Sequence, residues 1–375
     1  SGRVVMYKNN TDFEGHSYGC HENYLMDRST PFDRIVQGLL PFFATRQIYA
    51  GAGKVGEERG AKAGIYQIAQ RSEFFEVVAR IDTMHKRPLV NTRDEPHADP
   101  DRYRRLHVIV GDSNMSEFAT ALKVGTTALV VGLIESDDLP GIVLKDPVAA
   151  IRNIARDQTY QWLVEVEGKP NKLVPAVDVQ RGYLECAEKR YAGQDSETDW
   201  VLRAWSQTLD ALESDYTSLI GSIDWVTKKY LIDSFREAEN LSWDNPDHVT
   251  WLQSQDLEYH NVDRESGLYY LLESEGQTVR LVEDAEIAEA MGKPPEGTRA
   301  YFRGRSLEKF GDQVKSINWD RIVFGVNGKH EAIDLKGMVD PESVQIFNAI
   351  LDRSQSLEQF IGLLRAAEPA PAALA

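Results

Sequence analysis

The chain has 375 residues, 42% of them hydrophobic, with 42 Lys and Arg against 59 Asp and Glu and a formal net charge of -17. That length and apolar fraction support one large domain with a smaller one, and the negative balance argues against general nucleic-acid binding. Cys20 and Cys186 are too few for a disulfide framework. No apolar run reads as the roughly 18 residues a bilayer span needs, so the expected setting is cytoplasmic, with neither membrane nor nucleic acid as partner.

In chain order, Val4 to Tyr7 and Ser17 to Met26 are predicted strands around the polar "NNTDFEGH". "TPFDRIVQGLLPFFATRQIYA" reads as helical from Ile35, Leu39, Phe42 and Phe43, with Pro41 expected to bend or divide it. In "GAGKVG", Val55 stands where a phosphate loop needs Ser or Thr and Ile48 where it needs its first glycine, so a flexible connector is expected. "IYQIAQRSEFFEVVARI" and "RPLVNTRDEP" return to extended structure. "RRLHVIVGDSN" is the clearest strand, with Leu106, Val108 and Val110 on one face and Arg105, His107 and Ile109 on the other. Ser113 or Asn114 is the expected cap of the following helix, whose inward stripe is Phe118, Leu122, Leu129 and Leu133. From about Asp146 to Ala290 the pattern is mostly helical, with Trp205, Trp225, Trp243 and Trp251 as expected core anchors.

Strands come early and helices later, which predicts an α+β fold. The expected division is a large domain over 1–294, a small α+β domain over 295–367, and a disordered Pro/Ala-rich tail over 368–375.

The chemistry concentrates in two stretches. In "YGCHENYLM", period-two geometry puts Gly19, His21, Asn23 and Leu25 on one face and Glu22 and Tyr24 on the other. An imidazole and an amide then point together, as metal-site residues do or as a core histidine with a hydrogen-bond partner does. The second stretch, "NTRDEPHADPDRYRRLHVIVGDSN", gathers Arg93, Asp94, Glu95, His97, Arg104, Arg105, His107, Asp112 and Asn114. A strand face carrying Arg105 and His107 is costly to bury without an anionic or metal partner. Nucleotide phosphates with bound Mg2+ supply both. Two histidines alone make a poor magnesium site, so carboxylates must come from elsewhere.

"YKNNTD", "SYGCHENYLM", "QRSEFFEV", "NTRDEPHAD", "YRRLHVIVGDSNMSE" and "LKVGT", followed by "IDWVTKKYLIDSFR", "ENLSW", "GLYYLL" and "PPEGTRAYFRG", are similar in order to the Pup ligase/depupylase family, relatives of glutamine synthetase. The resemblance covers nearly the whole chain. It implies a glutamine-synthetase-like curved antiparallel sheet cradle packed with helices, binding ATP (or ADP plus phosphate) and Mg2+, with a small C-terminal domain beside it. It further implies Pup and pupylated proteins as partners. "ENLSW", "GLYYLL" and "TRAYFRG" resemble the depupylase branch, which hydrolyses the Pup–lysine isopeptide bond and deamidates a Pup ending in glutamine; "GCHENYL" and "AEIAEA" lean toward the Pup–protein ligase.

By the same resemblance His21 and His107 are the expected metal ligands, and Asn23, Arg93, Arg105 and Trp319 the expected nucleotide-binding residues, with plain core packing as the alternative for Trp319. Arg299 and Arg303 match positions that reach nucleotide or Pup, or are simply solvated. Arg80, Lys86, Arg87, Arg102 and Arg104 are the basic residues expected to meet acidic Pup. The family's "GIETEYG"-like and "NGARLYVD"-like strands, which carry metal-binding glutamates and the catalytic aspartate, do not occur in these residues. The expectation is therefore a site completed by a separate N-terminal fragment, or an inactive Pup- or ATP-binding fragment. An ATP-dependent ligase for a small substrate is the remaining alternative.

Overall fold

The computed structural model describes residues 4–58, 65–80, 86–91, 93–168, 172–326 and 328–367; the expected tail at 368–375 lies outside them. The elements in order are β1 (Glu22–Asp27), α1 (Phe32–Thr45), α2 (Gln47–Ala50), β2 (Lys54–Val55), β3 (Tyr66–Gln67), β4 (Phe75–Arg80), β5 (Arg87–Asn91) and β6 (Tyr103–Val108). Then come α3 (Glu117–Ser136), α4 (Pro147–Arg156), β7 (Leu163–Glu165), β8 (Leu173–Pro175), α5 (Ala176–Tyr191), α6 (Ser196–Ser214), α7 (Asp224–Ala238), α8 (Pro246–Tyr259) and α9 (Leu268–Ser274). The last are α10 (Asp284–Gly292), α11 (Arg299–Phe310), β9 (Val314–Ile317), β10 (Arg321–Val326), β11 (Lys329–Asp334), α12 (Pro341–Arg353) and α13 (Leu357–Ala367). The class is α+β, as expected.

The chain forms two compact units. One comprises Ser1–Asp94 and Arg105–Leu281, the other Glu95–Arg104 and Val282–Ala375. This division differs from a single cut at 294, because the loop carrying His97 joins the smaller unit.

In the larger unit the described strands form two-stranded sheets, β1 with β6, β2 with β3, β4 with β5 and β7 with β8. β4 and β5 run parallel, and β2–β3 and β7–β8 antiparallel. Helices supply most of the core. Trp205 and Trp225 are fully buried anchors, and Trp205 meets Phe42 edge-on at 6.1 Å. Trp243 is partly buried against the same core, whereas Trp251 is 39% exposed and only brushes Phe235.

Several local expectations change. Tyr7 makes a single bridge to Asn261 in place of a strand. α1 runs through Pro41 and stops at Arg46, where α2 begins; the Thr45 hydroxyl donates to the Pro41 carbonyl at 2.7 Å. The cap of α3 is Ser116, whose hydroxyl accepts from Ala119 N at 3.1 Å, because Asn114 is spent on Ala50 O and Asp224. By length and composition α3 is apolar enough to cross a bilayer, contrary to the reading of the sequence. It instead packs in the core, with Leu122, Thr126, Val130, Leu133 and Ile134 buried, and with buried Lys123 donating to Asp112 O and Asn114 Oδ1. Other starts follow local chemistry: Asp146–Pro147, Asn245–Pro246 and Asp340–Pro341 each pair a capping side chain with proline at the first helical position.

The Gly-rich stretch Gly51 to Gly56 is buried throughout, not a flexible connector. Gly53 has φ +70°, and a Cβ there would lie 2.0 Å from the Tyr66 hydroxyl. Lys54, wholly buried, pairs with Glu73 at 3.0 Å and Glu58 at 3.5 Å, so its charge is neutralised internally.

In the smaller unit, β10 lies between β9 and β11, antiparallel to both. Phe302, Phe310, Phe324 and Phe360 form its core with residues of α12 and α13.

Candidate functional site

β1 alternates as its sequence requires. Glu22, Tyr24 and Met26 turn inward while Asn23, Leu25 and Asp27 face out. The inward Glu22 meets buried Arg46 in a two-point ion pair, 2.6 Å from Nη2 and 3.1 Å from Nη1, and also accepts the Tyr24 hydroxyl at 2.6 Å. Arg46 spends its remaining donors on Thr127 Oγ1 at 2.5 Å and Val110 O at 2.7 Å. The Arg46 guanidinium, acting against the cost of burial, holds the Glu22 carboxyl below its usual range. The strand is thereby bolted to the end of α1 and to the segment after β6, with one exposed residue on either side of the anchored Glu22. Those residues are His21 and Asn23.

On the outer face the pairing of β1 with β6 brings the two sequence stretches together. The His21 and His107 rings meet edge-on, centroids 4.8 Å apart at 77°. Arg105 donates to Asn23 Oδ1 at 3.1 Å. Partial desolvation of the His21 ring first, then the positive fields of Arg71, Arg93 and Arg105, push its pKa below the ordinary value. At neutral pH the ring is therefore the uncharged form, the form that ligates metal. His107 is buried, His21 and Arg93 exposed, and Arg93 N is turned by Asn91 Oδ1 at 2.9 Å.

Arg71 was missed in the sequence. It is 2% exposed, donates from Nη1 to Ile109 O at 2.5 Å and Gly111 O at 3.0 Å, and from Nε to Ser17 Oγ at 3.1 Å. Burial pushes its guanidinium down to about 10, with Asp112 acting in the opposite sense. The string around it, "IAQRSEFF", mixes polar and apolar residues and gives no local sign that Arg71 is buried. Asp112 is not a site ligand but a clamp: its carboxylate accepts Ala52 N at 2.9 Å, Gln70 N at 2.8 Å and Arg71 N at 3.2 Å.

Trp319 lies in the smaller unit and is 66% exposed, which removes core packing as its explanation. The Arg303 guanidinium stands 5.1 Å from its ring centre. In the same unit Arg299 donates to His97 O at 2.5 Å, so neither arginine is merely solvated. Cys20 and Cys186 are free thiols.

The donor set around His21 is two imidazoles, an amide and three guanidiniums. Guanidiniums suit phosphate oxygens. Imidazoles alone do not suit Mg2+, which takes oxygen ligands. The residues therefore fit a polyphosphate, and fit magnesium only as an ion carried on phosphate oxygens with further carboxylates.

The Pup-ligase protein family model matches residues 1–323. The depupylase of Acidothermus cellulolyticus is 46% identical over 332 residues, covering 87% of this chain and 65% of the relative. The Pup deamidase/depupylase of Mycobacterium tuberculosis is 41% identical over 335 residues, covering 88% and 65%. The Pup–protein ligase of Acidimicrobium ferrooxidans is 43% identical over 325 residues, covering 85% and 70%. The solved Pup ligase PafA in complex with ADP superposes with a TM-score of 0.79 at 36% identity, covering 98% of this chain and 77% of that one. The complex of Pup with PafA gives the same TM-score and identity, covering 98% and 74%. The chain thus spans 65% of the length of the two depupylases named. It belongs to the Pup ligase family.

Proposed function

We propose that this chain carries the nucleotide-binding part of a depupylase/Pup deamidase, which hydrolyses the isopeptide bond between Pup and a substrate lysine and deamidates the C-terminal glutamine of Pup. The observation that carries the reading is the His21–His107 pair set among Arg71, Arg93 and Arg105, in a chain whose relatives include depupylases at 41–46% identity. ATP, or ADP plus phosphate, with Mg2+ is the proposed cofactor, and a bound metal–nucleotide would supply positive charge to polarise the carbonyl under attack.

The roles follow from the chemistry of each group. Arg93 and Arg105 would clamp phosphate oxygens, the buried Arg71 adds its positive field at His21, and the Arg105 bond to Asn23 fixes the amide beside them. The neutral His21 ring, with the His107 ring edge-on beside it, would face a metal carried on those phosphates. Trp319, in the smaller unit, is a proposed nucleotide-binding residue by the resemblance alone. The donor set still needs oxygen ligands and a carboxylate to attack or to activate water. The cytoplasm is the proposed setting. Among basic residues, Arg80, Lys86, Arg87, Arg102 and Arg104 are proposed to meet acidic Pup.

The Pup–protein ligase is the second reading, favoured by the likeness to PafA and by a ligase relative at 43% identity. Mass spectrometry of glutamine-ended Pup incubated with this chain, ATP and Mg2+ tests the first reading. Conversion to the glutamate-ended form supports it. ADP release that depends on added lysine, without that conversion, favours the ligase. Nucleotide binding without either leaves an inactive binding fragment.

A further inference from the structure

We propose that Gly19 is a positioning residue for His21, and that its missing side chain keeps the approach to the His21 Nε2 atom open. The inference rests on the reading of His21 as a metal-facing residue. Gly19 does not adopt the left-handed backbone conformation that favours glycine, so the chain path does not demand one here. The demand comes from space. A Cβ built on Gly19 would lie 2.7 Å from His21 Nε2, 3.2 Å from Cδ2 and 3.4 Å from Cε1, and these are its three nearest atoms. The imidazole therefore folds back over position 19, two residues earlier in the segment that leads into β1, and stands edge-on to His107. Non-bonded contacts as short as 2.7 Å are not tolerated, so an alanine would turn the ring out of its edge-on contact with His107.

The geometry also says what such a substitution leaves alone. Position 19 is exposed, and its nearest neighbours are the end of one side chain, which can rotate without disturbing the core. The Glu22–Arg46 pair that anchors β1 lies on the opposite face. Gly19→Ala should therefore move the ring and not the fold.

The experiment uses the full chain as wild type, Gly19→Ala, His21→Asn and the double variant. Binding of Mn2+–ATP is followed by electron paramagnetic resonance, and proximity of the His21 and His107 ring protons by nuclear Overhauser effects. Gly19→Ala should weaken Mn2+–ATP by about tenfold, as loss of a supporting contact to a metal ligand does, with thermal stability unchanged and the ring–ring effect lost. On the His21→Asn background Gly19→Ala should add nothing. Wild-type affinity in Gly19→Ala, or an additional loss on the His21→Asn background, overturns the proposal. If the wild type itself does not bind Mn2+–ATP, the nucleotide reading fails separately. The ring–ring effect still decides the role of Gly19, since its retention in Gly19→Ala refutes the positioning and its loss supports it.

Discussion

Removing one partner of the Glu22–Arg46 pair gives the sharpest test of how the site is held. Arg46 is 2% exposed and the Glu22 side chain 8%, and the pair is closed by two bonds of 2.6 and 3.1 Å. Arg46→Met keeps most of the volume but strands the buried carboxylate, leaving it the Tyr24 hydroxyl as a donor. Breaking a buried pair from one side costs about 3–5 kcal/mol, because the uncompensated charge stays out of water. In a unit of this size that is a fall of about 10 °C in Tm, at roughly 2–4 °C per kcal/mol. Glu22→Leu combined with Arg46→Met removes both charges and should recover most of the loss. The sign with pH is also determined. In the wild type the carboxyl pKa lies below its unfolded value, so the stabilisation is full above about pH 4.3 and is lost as pH falls through the folded value. In Arg46→Met the buried carboxyl is raised instead, so the deficit should shrink between pH 8 and pH 5. Urea unfolding of the single and double variants at both pH values measures this. A loss under about 1 kcal/mol in Arg46→Met, or a double variant as unstable as the single, would show that the pair does not anchor β1.

Arg93→Gln and Arg105→Gln should each weaken ATP binding by about 1.5–3 kcal/mol, the worth of a charged hydrogen bond, and isothermal titration that finds no change would remove them from the phosphate site. His260 is fully buried, with Nε2 2.8 Å from Lys228 Nζ and 2.9 Å from Gln70 Nε2, and burial first and Lys228 second hold its pKa well below the ordinary value. Its unfolded form takes a proton below about pH 6.5 while the folded form does not. Stability should therefore fall by about 1.4 kcal/mol per pH unit below that point, with a slope one proton shallower in His260→Gln; equal slopes would refute it. Trp225→Ala should cost about 3–5 kcal/mol, since the indole is buried and donates to Ile48 O at 2.8 Å. Trp251→Ala should cost under about 1 kcal/mol, and chemical denaturation giving similar losses would contradict the assigned burial.

What the sequence determined by itself is local in origin. The alternation of His21 and Asn23 against Glu22 and Tyr24 follows from the two-residue period of a strand, and no distant contact can change it once the strand forms. The Asp–Pro and Asn–Pro helix starts are equally local, because the capping side chain and the prolyl φ act within one turn. Family membership was legible because long motifs recur in order. Tertiary structure decided the rest. Nothing near Glu22 names Arg46 as its partner 24 positions away, and nothing in "IAQRSEFF" says that Arg71 reaches the field of His21. The Gly51 to Gly56 stretch reads as a flexible loop from composition, yet Tyr66, Glu73 and Ile68 close over it and bury its lysine. Trp225 and Trp251 are the same residue type in similar helical patterns, and only packing makes one core and the other surface. Burial and ion pairing depend on what arrives from elsewhere in the chain, so composition and period constrain them weakly, whereas side-chain direction and capping are set within a few residues.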